Sequence, residues 1–97
     1  MATVIHSARG LAHLERAFEL VRVEHPDVAP AAAEAIRTAV ESLALHPLLG
    51  RRLHGDIREL VVSYGQTGYL ALYRFVVPKD EVRILALRHQ RETGFVP

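Results

Sequence analysis

The side chains in this sequence best able to move a proton or hold an anion are six histidines, three tyrosines and eleven arginines. Lys79 is the one lysine, and there is no cysteine. The histidines are His6, His13, His25, His46, His54 and His89. They show no pair at the helical spacing of a zinc motif, so no metal site and no cofactor are expected. Without cysteine there is no thiol nucleophile, disulfide framework or thiolate site, which fits a reducing cytoplasm. The densest chemistry is Arg88-His89-Gln90-Arg91, where an imidazole that could act as an acid or base sits beside two fixed cations. If the protein cuts RNA, Arg88, His89 and Arg91 are the catalytic candidates. The plainer reading, a structural or partner-facing His89, is preferred. The tyrosines read as strand residues, with Tyr69, just after Gly68, the best placed for surface contact.

Those residues need elements to position them. Three apolar runs, Arg58–Tyr64, Tyr69–Val77 and Val82–His89, are separated by Gly65-Gln66-Thr67-Gly68 and Pro78-Lys79-Asp80-Glu81. Branched and aromatic residues in the runs, with Gly, Pro and Asp in the gaps, predict an antiparallel meander of three strands. Ahead of it, Thr3–His6 reads as a short strand and Ser7 as a helix N-cap. Leu11, Leu14, Phe18 and Val21 make a helical stripe that His25-Pro26-Asp27 should end. Pro30 suits a first helical position, and Ala33, Ile36, Val40 and Leu43 mark a second stripe ending near Leu45-His46-Pro47. Few residues join the two helices, so an antiparallel hairpin is expected, and Leu48–Asp56 is read as a loop. The fold class is therefore α+β, in the order β-α-α-β-β-β, with the helices packed on one sheet face. The 97 residues suit a single domain, 1–97.

Strand alternation divides the sheet into two faces. Leu60, Val62, Tyr73, Phe75, Leu85 and Leu87 are assigned to the helices. Glu59, Val61, Leu70, Leu72, Arg74, Ile84, Ala86 and Arg88 are left on the opposite face, apolar with two arginines and one glutamate. A mixed patch of that kind suggests a protein partner, with Glu59, Leu70, Leu72, Arg74, Arg88 and Phe95 as contacts, Phe95 also anchoring the tail to the sheet. Glu59 is expected to form a cross-strand ion pair with Arg74 or Arg88. Net charge is +1, which is poor for sequence-independent binding along many phosphates, although Arg88 and Arg91, with Arg51, Arg52 and Arg58, could form a local patch. Met1–Ile5 lacks the basic flank and apolar length of an export signal, and no apolar run is long enough for a membrane span.

Leu53-His54-Gly55, Arg58-Glu59-Leu60-Val61-Val62, Gly68-Tyr69, Leu72-Tyr73-Arg74 and Ile84 through Glu92 resemble, in order and spacing, the RelE/ParE toxin superfamily of bacterial toxin–antitoxin systems, the ParE-like branch most closely. The resemblance spans nearly the whole chain. It implies a cytoplasmic toxin held by a cognate antitoxin within a toxin–antitoxin hetero-oligomer. Its ParE-like members are non-enzymatic inhibitors of DNA gyrase, and its RelE-like members cleave mRNA on the ribosome. The RNA-cleaving relatives keep basic residues on the exposed face of the first meander strand, an arginine after the Gly-Tyr, another after the last strand, and a terminal tyrosine or histidine. At those positions this sequence has Glu59 and Val61, Leu70, Arg88 or Arg91, and Phe95. Most of the roles are thus empty, and the resemblance favours a gyrase or topoisomerase inhibitor over a ribosome-dependent endoribonuclease or a degenerate toxin that only binds antitoxin.

Overall fold

The computed structural model describes residues 1–64, 67–90 and 94–95. Five strands and two helices follow in the order β1 (Thr3–His6), α1 (Ala8–Glu24), α2 (Ala29–Ser42), β2 (Arg51–His54), β3 (Ile57–Tyr64), β4 (Thr67–Val76) and β5 (Glu81–His89). The sheet runs β1-β5-β4-β3-β2. β1 lies parallel to β5, and the other pairings are antiparallel. The predicted meander and helical pair are present. The stretch read as a loop from Leu48 to Asp56 instead contributes the edge strand β2, whose four exposed residues carry no alternation for a sequence reading to find.

Local chemistry accounts for the element ends. Ser7 caps α1, its hydroxyl accepting the Gly10 N–H at 2.9 Å. Pro26 follows α1, and a proline at the start of α2 needs no N–H partner. A short 3₁₀ turn, Val77–Lys79, and a left-handed Asp80 (φ 48°) reverse the chain into β5. Asp tolerates that conformation better than most residues.

Both helices pack on one face. Ile36, Val40 and Leu43 of the α2 segment meet Leu60, Val62, Tyr73, Val82, Ile84 and Leu87, with Leu14, Phe18 and Val21 of α1 at the margin. Leu11 was expected in the α1 stripe but is 46% exposed; Gly10 and His13 are the buried residues of that helix. Gly10 is required there because a Cβ would collide with the Ile84 carbonyl. Tyr69, expected at the surface, is 3% exposed and belongs to the core.

One β-bulge alters the predicted faces. Leu72 pairs with Ala86, but Tyr73 pairs with Ile84, so Leu85 is an extra residue on β5. The bulge puts Val82 and Ile84 in phase with Leu87 and His89, because directly paired residues share a face. Ile84 is therefore a core residue at 1% exposure, not an outer-face one, and Leu85 leaves the helix-facing set. Arg83 moves to the outer face opposite Arg74 for the same reason.

The crossing from α2 to β2 is pinned by polar contacts. The Tyr73 hydroxyl, fully buried, donates to the Pro47 carbonyl at 2.8 Å and accepts the Gly50 N–H at 2.7 Å. The Arg58 guanidinium donates to the carbonyls of Gly50 (2.9 Å) and Leu48 (3.3 Å). Gly50 has no space for a side chain, since a Cβ would lie 2.5 Å from the Tyr73 ring and 2.9 Å from the Glu59 carbonyl.

Candidate functional site

The face of the sheet away from the helices gathers most of the residues singled out in the sequence. β3 contributes Glu59 and Val61, β4 contributes Leu70, Leu72 and Arg74, and β5 contributes Ala86 and Arg88. Register fixes this set: Glu59 faces Leu72, Val61 faces Leu70, Leu70 faces Arg88 and Leu72 faces Ala86. Val61, beyond the last β2 pairing on β3, is 59% exposed. Alternation found this group because the β3–β4 ladder has no irregularity. Arg83 was missed because the bulge that turns it outward leaves no mark in the hydrophobic pattern.

The charges on this face are paired differently from expectation. Glu59 meets Arg51 of β2 at 3.1 Å, not Arg74 or Arg88. Arg74 meets Asp56 at 3.1 Å, and Arg83 meets Glu81 at 2.6 Å. Each pair is at least partly exposed, so their value is small for stability and larger for presenting charge to a partner. Arg88 donates to the carbonyls of His89 and Gln90, and its guanidinium stacks 5.2 Å from the Phe95 ring centroid. That contact places the Phe95 ring beside Arg88.

Arg88 and His89 are adjacent on β5 and so point to opposite faces. His89 lies opposite Tyr69 on the helix side, with the two rings edge-to-face at 5.3 Å. Arg91 lies outside the described residues. Among the described residues no group of three or more His, Asp or Glu is placed to hold a metal ion.

A second concave feature lies on the helix side. A groove of about 500 Å³ opens between α1, α2 and β1, floored by Val4, Leu14, Phe18, Ile36 and Val40. Glu34, Arg37, Glu41 and His6 form its polar rim. Glu34 and Arg37 are ion-paired one helical turn apart. Burial pulls the His6 imidazole below its ordinary pKa, favouring the neutral ring. No described helix is long and apolar enough to cross a membrane.

A helical pair packed on one face of a five-stranded sheet, with a mixed apolar and arginine-bearing outer face, defines a small α+β fold. Residues 4–94 match the model of the ParE toxin of type II toxin–antitoxin systems, parDE. Toxin RelE3 of Caulobacter vibrioides is 43% identical over 67 residues, covering 69% of this chain and 71% of that protein. The chain belongs to the ParE toxin family of type II toxin–antitoxin systems. Two solved structures share the fold at lower identity. A chain of the chromosomal ParDE TA system from P. aeruginosa superimposes with a TM-score of 0.72 at 20% identity, covering 92% of this chain and 96% of that one. The intact E. coli RelBE toxin–antitoxin complex gives 0.67 at 12% identity, covering 95% and 100%.

Proposed function

We propose that this toxin acts by binding rather than by cutting, as an inhibitor of DNA gyrase or a related topoisomerase, and that a cognate antitoxin neutralises it. The observation that carries this reading is the outer sheet face. RNA cleavage through the 2′-hydroxyl needs an acid, a base and cations around one phosphate. Here the central positions of β3 and β4 hold Glu59, Val61, Leu70 and Leu72. Glu59 would repel phosphate, and the two leucines and the valine have no proton to exchange. Arg88 and His89 start from opposite faces of β5, which supports binding over cutting.

The antitoxin partner is supported by the family and by the two toxin–antitoxin systems that share the fold. Two surfaces suit it. The outer face offers Leu70 and Leu72 to apolar side chains and Arg74 and Arg88 to carboxylates. The groove between α1, α2 and β1 offers an apolar floor to one face of an amphipathic helix. A second reading, an mRNA endoribonuclease, rests on the likeness to a relative named RelE3.

The test is induced expression without antitoxin, with DNA and protein synthesis pulse-labelled in one culture. DNA synthesis stopping first, followed by inhibition of gyrase supercoiling by purified toxin, is the expected result. Translation stopping first overturns the proposal in favour of the nuclease. Normal growth with soluble protein overturns it in favour of a degenerate toxin that only binds antitoxin.

A further inference from the structure

β1 ends at His6, opposite Ile84, so the second half of β5 has no strand on that side. The start of α1 lies there instead. The Ser7 N–H donates to the Ile84 carbonyl at 2.9 Å, and the Ser7 hydroxyl to the Leu85 carbonyl at 3.3 Å. The Leu87 N–H donates to His13 Nδ1 at 3.0 Å. His13 is 4% exposed. These three bonds bracket the bulge at Leu85, and Gly10 allows the helix to approach closely enough to make them. A buried backbone N–H without an acceptor costs about 1–3 kcal/mol, so the Leu87 N–H selects the strand phase in which His13 can reach it. That phase puts Leu87 in the core and Arg88 on the outer face.

We propose that His13 is a positioning residue: by accepting the Leu87 N–H it holds the Leu85 bulge and keeps Arg88 on the outer sheet face, where the antitoxin carboxylates dock. The partner half of this statement rests on the antitoxin-binding reading above; the strand-phase half does not. His13 accepts through Nδ1, so the ring carries its proton on Nε2. A slip of one residue beyond the bulge would turn Arg88 towards the helices and Leu87 outward.

The absence of cysteine makes the test clean. Leu87→Cys and Arg88→Cys are made singly, each with His13, His13→Asn or His13→Leu, and thiol labelling rates are compared in the folded protein. With His13, position 88 should label much faster than position 87. His13→Leu should shrink that ratio by about tenfold, the loss expected for one orphaned buried N–H. His13→Asn, whose Oδ1 can accept in place of Nδ1, should restore most of it. An unchanged ratio in folded His13→Leu overturns the inference. If that variant does not fold, ¹⁵N NMR of the unaltered protein decides: Nδ1 should be unprotonated, and a proton on Nδ1 overturns the inference. Antitoxin affinity, measured on the cysteine-free series, should fall with His13→Leu and recover with His13→Asn. If labelling shifts as expected while Arg88→Ala leaves affinity unchanged, the strand-phase role stands and the docking role of Arg88 is overturned.

Discussion

Replacing Tyr73 by Phe removes one oxygen and tests what holds the α2–β2 crossing to the sheet. The ring stays in place, so the change isolates two hydrogen bonds, to the Pro47 carbonyl and from the Gly50 N–H. Gly50 is buried, and its N–H would lose its acceptor, a loss of about 1–3 kcal/mol. The bond to Pro47 adds about 0.5–1.5 kcal/mol, its carbonyl being only partly buried. Together the cost is about 1.5–4.5 kcal/mol, a large share of the stability of a domain this size. The melting temperature should fall by roughly 6–36 °C. Urea titrations of toxin freed from antitoxin, with and without the substitution, measure it directly. The same hydroxyl gives a pH signature. Burial raises the Tyr73 pKa above its ordinary value of 10.0, outweighing the opposing effects of the Gly50 N–H and Arg58. A raised folded-state pKa means that this contribution is complete below pH 10 and is lost as pH rises through the folded value. Tyr73→Phe should therefore flatten part of the alkaline loss of stability, leaving the part due to Tyr69, which burial also raises. A stability change under about 0.5 kcal/mol would show that Arg58 alone pins the crossing and refute the reasoning.

Gly50→Ala should destabilise by about 1–3 kcal/mol in the same titration, because the added Cβ meets the Tyr73 ring and the Glu59 carbonyl. Leu70→Asp and Arg74→Glu should each weaken antitoxin binding about tenfold or more by calorimetry while the far-ultraviolet dichroism stays native; unchanged affinity in both would remove the outer face as a docking surface. Burial lowers the folded-state pKa of His6, so its contribution is present above 6.5 and is lost as pH falls through the folded value. His6→Gln should therefore reduce the slope of stability against pH on the acid side of neutrality, and an unchanged slope would mean that the ring is fully hydrated.

The elements and the outer face were legible for different reasons. Helix and strand periods are local, and Ser7, Pro26 and Pro30 mark boundaries by their own chemistry, so the order of elements follows from short windows of sequence. Glu59, Leu70, Leu72 and Arg74 fell on one face as expected because the β3–β4 ladder is regular along its whole length. β2 could not be read that way: its residues are all exposed, and its strand conformation comes from pairing with β3, beside the crossing that Tyr73 and Arg58 pin. The ion pairs were misassigned because Arg51 and Asp56, the partners of Glu59 and Arg74, lie in the segment read as loop.

The bulge shows the deeper limit. Val82, Ile84 and Leu87 all enter the core, an arrangement no unbroken alternation permits. The missing information lies more than seventy residues earlier, in Ser7, Gly10 and His13, whose contacts set the phase of the last strand. His13 looked like one of six histidines, yet it and Gly10 are placed by what β5 requires of α1. The outer face therefore depends on α1 as much as on its own strands. A substitution in α1 can reach Arg83 and Arg88 without touching either, and partner binding should respond to it through strand phase rather than through loss of a contact.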